Sequence, residues 1–264
     1  MNMSSRIGHA TTDLPAIDER LVASESGYEI DDGKLVRVSP SEEPHASRHS
    51  KIAALLEAHV ADDFEVAVDM LTRTSANTDR APDASVYPLA RDPGTGGRQL
   101  EHLAFEVVNT ETLGHAAAKA ADLCARGVRR VFAIDVGRIR VFEWSHELGT
   151  WTLLEASASI VDPTLAVSLP IAALLHAAKA DDAVARALLA KRNPVLVAAV
   201  AQGRAEGRAE GLAESILLIL ARRGVEPDTD ERARIFGERD LVTLERWLMR
   251  AMVATTAADL FADV

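Results

Sequence analysis

The sequence predicts an α/β fold, a core with a mixed β-sheet flanked by helices, followed by an α-helical C-terminal extension. Three observations predict it. The run HLAFEVVN at 102–109 is continuously apolar around one glutamate, as in a strand buried on both faces. An alanine-rich helical stretch follows and then further strand-like segments, and strand–helix–strand alternation calls for a crossover connection. Beyond Leu165 the strand signals stop, and nearly everything reads as helix with breaks at Pro170, Asn193-Pro194 and 224–227. The expected division is a polar, mobile leader over 1–27, a compact domain over 28–165 and the helical extension over 166–264.

The elements follow in order. The leader is aperiodic, with a short helix expected at 17–23. Asp32-Gly33 within YEIDDGKLVRV is a hairpin signal, and Ser39-Pro40 ends it. Ile52, Leu55, Leu56 and Val60 repeat at helical spacing and predict an amphipathic helix over 45–60. FEVAVDMLTR and DASVYP read as short strands around a polar turn at 75–79, and RDPGTGGRQ as a loop. HAAAKAADLCARG is helical, with Gly127 as its C-cap. VRRVFAIDVGRIRVFEW supplies two strands around Val136-Gly137, and WTLLEA a third. In the extension, GRAEGRAEGLAE places Gly203, Gly207 and Gly211 on one helical stripe. It reads either as a tolerated low-complexity helix or as a smooth face for close helix approach, as in a homodimer.

Composition narrows the functional classes. Of 264 residues 48% are apolar, enough for a buried core, and the single cysteine, Cys124, excludes an intramolecular disulfide and a four-cysteine zinc site. The first residues, MNMSSRIGHATTD, do not read as a secretory signal, and no apolar run approaches the roughly 20 residues that span a bilayer. A cytoplasmic protein without membrane contact is expected. Net charge is −11, and residues 1–164 hold 26 Asp and Glu against 16 Lys and Arg, so the chain has no bulk excess of basic charge for phosphate contacts. GTGG at 94–97 is followed by no G-K-[ST] and is not a phosphate loop.

Chemistry concentrates in three places: Asp83 after Pro82 at the start of a strand, Glu106 inside the next, and Lys119 in the helix after that. Carboxylates from neighbouring strands can hold Mg²⁺ or Mn²⁺, and a nearby ammonium suits a phosphate. Glu106 is the most informative, because an ionised side chain among LAFEVV is costly unless paired or bound to metal. Each residue also has a plain structural reading: Asp83 as a turn residue, Glu106 facing solvent on an edge strand, Lys119 as a solvated helix lysine. His45 and His49, four apart, share a helix face; a zinc site there would need Glu42 or Glu43 as third ligand. Cys124 has no histidine partner in sequence and reads as core filler.

The ordered set YEIDDGKLVRVSPSEEPH, APDASVYP, HLAFEVVNTET and KAADLCARGVRRVFAID resembles the large bacterial family of restriction endonucleases known as Uma-type, over about residues 28–145. The resemblance implies the restriction-endonuclease-like fold of the PD-(D/E)XK nuclease superfamily, with the catalytic lysine moved from strand to helix. By that match Asp83, Glu106 and Lys119 are catalytic. Asp83, Glu106 and the Val107 carbonyl would hold the metal, and Lys119 would orient or activate the attacking water. His45, and with it His49, would face the active site near substrate phosphate. Two departures bear on Lys119 more than on the acids: Asn109 stands where the family has serine, and the Glu106–Lys119 interval is one residue short. The expected function is a Mg²⁺- or Mn²⁺-dependent endonuclease whose partner is nucleic acid, DNA in the leading reading, with an RNA nuclease as the third reading. The alternative is a catalytically weak nuclease-like scaffold that acts through protein–protein contacts and oligomerisation.

Overall fold

The computed structural model describes residues 14–21, 28–37, 43–108 and 113–262, with the backbone alone for 43–46 and 177–178. Its contacts divide the chain into two compact units, Met1–Lys191 and Arg192–Val264.

The first unit begins with a hairpin of β1 (Tyr28–Asp31) and β2 (Lys34–Arg37). At its turn Asp32 and Gly33 have φ of 47° and 77°, the left-handed pair that a type I′ turn requires and that Asp-Gly tolerates. Helix α1 (Glu43–His59) turns Ile52, Leu55 and Leu56 inward. Then come β3 (Phe64–Ala67), β4 (Thr72–Ser75), β5 (Thr78–Arg80), β6 (Ala84–Pro88) and β7 (Leu103–Val108). Helix α2 (Leu113–Arg126) leads to β8 (Arg130–Asp135), β9 (Arg140–Ser145) and β10 (Thr150–Leu154).

Six of these strands form one sheet in the order β10-β9-β8-β7-β6-β3. Strands β7 and β8 are parallel, joined by α2 as the crossover, and the other neighbours are antiparallel. Every residue of β7 is buried, as its continuous apolar run requires. Alternation sorts it onto two faces. Leu103, Phe105 and Val107 pack with Ile52, Leu55 and Leu56 of α1. Ala104 packs with Ala120 and Leu123 of α2, and Val108 with Ala116. By the same parity Glu106 faces α2. That helix stops where Gly127, at φ 121°, turns the chain back into the sheet.

Two expectations fail here. FEVAVDMLTR is not one strand: it divides into β3 and β4 about Asp69, whose φ of 50° reverses the chain. In the described part of the leader, the Arg73 N–H donates to the Ile17 carbonyl and the Arg98 N–H to Asp18. Residues 17–18 form a turn and 19–21 are not helical, so the expected helix is absent there; 22 and 23 lie outside the described residues.

The same unit continues past residue 165 through α3 (Ile171–Leu175) and α4 (Ala177–Ala190), whose Ile171, Leu174 and Ala183 join the α1 core. The second unit holds α5 (Pro194–Arg222), capped by Asn193, then α6 (Thr229–Gly237) and α7 (Leu241–Ala251). Ile216, Leu220, Ile235, Leu244 and Trp247 form its core. A Cβ added at Gly203, Gly207 or Gly211 would meet nothing within 4 Å, so no described helix of the chain packs on that stripe.

Candidate active site

The register of β6 on β7 brings two of the expected acids together. Ala84 pairs with Phe105 and Ser85 with Ala104, so Asp83, one residue before β6, comes opposite Glu106. Residues directly opposed on antiparallel strands share a face, with Cβ atoms about 4.5–5.5 Å apart. The Asp83 carboxylate is fixed by the Val107 N–H, which donates to Oδ2 at 2.5 Å. Val107 thus supports the site through its amide as well as being the residue whose carbonyl was expected to bind metal.

Glu106 is 5% exposed, and its Oε1 is buried without a hydrogen-bond partner. Burial, reinforced by the Asp83 and Glu29 charges, pushes its pKa up to about 8 against the pull of Lys119. Lys119 reaches the same place from α2, with Nζ 3.7 Å from Glu106 Oε2. It donates to the Ala81 carbonyl at 3.3 Å and pairs with Glu29 at 2.9 Å. Burial alone would depress its pKa, but the carboxylates of Glu106, Glu29 and Asp83 outweigh burial and raise it. All three expected catalytic residues therefore meet.

Glu29 was not among the expected site residues. It is 3% exposed in β1, and its Oε1 also accepts the Ala81 N–H at 3.2 Å. Arg80 lies 3.9 Å from its other oxygen and is bound in turn by Asp31 and Asp122. Along the sequence Glu29, like Glu106, sits between apolar residues of a short strand, but what makes it a site residue is the packing of β1 over Ala81 and Lys119.

His49 projects from α1 to Asp83, with Nε2 3.3 Å from Oδ2, and its Nδ1 is 3.7 Å from Asp69 Oδ1. The Asp83 hydrogen bond, with the Asp83 and Asp69 charges, raises its pKa although burial and Lys119 oppose. Asp69 too went unforeseen, since a turn aspartate carries no distinctive signal. The side chains of His45, Glu42 and Glu43 lie outside the described residues.

This residue set fits a divalent cation. Lys119 stands among Glu29, Asp83 and Glu106, so a cation that displaces the Glu106 proton meets three carboxylates and one ammonium in a largely buried place. The unpartnered Glu106 oxygen is an available hard donor, and oxygen ligands are those that Mg²⁺ and Mn²⁺ take.

The Uma2 family, described as "Putative restriction endonuclease", matches residues 14–173, more than half of the chain. The chain belongs to the Uma2 family. The restriction-endonuclease-like α/β core expected from the resemblance, with its mixed sheet and helical C-terminal region, is therefore the fold of this Uma2 protein. Among solved structures, "a putative nuclease belonging to DUF820 from Anabaena variabilis" is 15% identical with a TM-score of 0.47, over 56% of this chain and 88% of that one. No curated protein matches the chain. Among the described residues no helix is long and apolar enough to cross a membrane.

Proposed function

We propose that this Uma2 protein is a Mg²⁺- or Mn²⁺-dependent nuclease that hydrolyses phosphodiester bonds, with DNA as substrate. The observation that carries the reading is the convergence of Asp83, Glu106 and Lys119 at one end of β6 and β7. Asp83 and Glu106 would hold the cation, with the Val107 carbonyl as a further ligand. When bound, the ion supplies Lewis-acid polarisation of the phosphoryl oxygens and a nucleophile that forms near neutral pH. The Val107 N–H keeps the Asp83 carboxylate in place before any ligand arrives. Lys119, kept charged and aimed by Glu29 and the Ala81 carbonyl, stabilises negative charge developing at the phosphate. The acidic balance of the chain makes the bound cation part of the phosphate-binding surface.

The test is incubation of plasmid, single-stranded DNA and RNA with Mg²⁺ or Mn²⁺, with Glu106→Gln in parallel. Cleavage of DNA by the native chain and its loss in the variant are expected; cleavage that survives in Glu106→Gln excludes this site. A second reading, a nuclease-like scaffold, is favoured by the net charge of −11. Calorimetry separates the two, because a scaffold needs no divalent-ion binding that depends on Asp83 and Glu106.

A further inference from the structure

His49 enters the same corner from another element. Its two ring nitrogens face different carboxylates, Nε2 towards Asp83 at 3.3 Å and Nδ1 towards Asp69 at 3.7 Å. Each of these three side chains brings a ligand-type atom within 4.8 Å of the other two. Ligands about 2.1 Å from one cation stand about 3.0 Å apart at an octahedral angle and about 3.4 Å apart at a tetrahedral one. The His49–Asp83 separation falls between these values. A metal-bound imidazole also characteristically donates its other N–H to a carboxylate, which fixes the tautomer and the ring plane. Asp69 stands on that side of the ring. Ile52, one helical turn along α1, is buried in the core and holds the helix that carries His49.

We infer that His49 is a further ligand, through Nε2, of the cation held by Asp83 and Glu106, with Asp69 orienting the ring through Nδ1–H. The inference rests on the cation site proposed above and adds a selectivity to it. A nitrogen donor suits a transition ion, whereas Mg²⁺ takes oxygen ligands, so the site prefers Mn²⁺ to Mg²⁺. Asp69 acts as a positioning residue. The competing account is an ordinary histidine–carboxylate ion pair with no part in metal binding.

Pulsed electron paramagnetic resonance of Mn²⁺ bound to the full chain decides between them without any substitution. Nitrogen coupling that changes on ¹⁵N-histidine labelling is expected; a bound ion with oxygen ligands alone overturns the inference. Calorimetry then compares Mn²⁺ and Mg²⁺ in three variants. His49→Ala should remove the nitrogen signal and collapse the Mn²⁺ preference, and Asp69→Asn should weaken Mn²⁺ binding about 10-fold. Glu106→Gln should weaken both ions. If His49→Ala binds Mn²⁺ and Mg²⁺ in the native ratio while Glu106→Gln binds neither, the cation site stands and the role of His49 falls. If the native chain binds no divalent ion, both fall.

Discussion

Glu29 lies 2.9 Å from the Lys119 ammonium, closer than the 3.7 Å that separates that ammonium from Glu106. The lysine is therefore held across the gap between the β1–β2 hairpin and α2, and Glu106 is left with an oxygen to spare. Glu29→Gln keeps the size of the side chain and an oxygen for the Ala81 N–H but removes the charge that positions Lys119. Single-turnover DNA cleavage should fall about 10- to 100-fold, in the range found when groups that orient a metal site are replaced. Circular dichroism should show the fold retained. An unchanged rate would mean that Lys119 is positioned without Glu29.

Glu106 makes the metal-free protein sensitive to pH in an unusual direction. Its folded pKa of about 8 lies above the ordinary 4.5, so between these values the folded chain keeps a proton that the unfolded chain releases. Stability is thus full below the ordinary carboxylate pKa, falls as pH rises, and levels off above about 8. The loss is on the order of a few kcal/mol, since each tenfold change in proton affinity is worth about 1.4 kcal/mol. Glu106→Gln cannot ionise and should lack this decline. Urea unfolding in chelator from pH 5 to 9 compares the two slopes; parallel curves would contradict the assigned cause.

The parts of this site that were legible in the sequence share one property: they depend on hydrophobic context along a single segment. Glu106 is conspicuous within LAFEVV, and Asp83 follows Pro82 where a strand begins. The unread parts depend on segments distant in sequence meeting in space. Glu29 becomes a site residue only because β1 lies over Ala81 and Lys119. Asp69 matters because a left-handed residue reverses the chain, and apolar periodicity does not register a reversal. The contacts of residues 17 and 18 are polar, Asp18 on the Arg98 amide and the Ile17 carbonyl on Arg73, and hydrophobic pattern is blind to both.

In the second unit the core rests on one aromatic anchor. Trp247 is packed edge-on against Phe261 at 4.9 Å and lies among Ile216, Ile235 and Leu244. Trp247→Ala should cost that unit about 3–5 kcal/mol. Hydrogen exchange in α5 and α7 should then quicken, while protection equal to the native chain would show that the helices hold without it.

Cation binding should be coupled to a proton. At pH 7 Glu106 is largely protonated, because burial has moved its pKa to about 8, and only the carboxylate can hold Mn²⁺. Loading the site must therefore release that proton, and the apparent affinity should rise with pH by up to about tenfold per pH unit, levelling off above pH 8. Calorimetric titration of Mn²⁺ in two buffers of different ionisation enthalpy measures the release directly. Close to one proton per ion is expected from Glu106 at pH 7, falling towards zero at pH 9 as Glu106 ionises beforehand. His49, whose pKa is raised by Asp83, also has to lose its proton to bind the ion, so His49→Ala should release fewer protons than the native chain. Titrations that give the same heat in both buffers at pH 7 would show that Glu106 is already ionised, and the electrostatic account of this corner would fail with it.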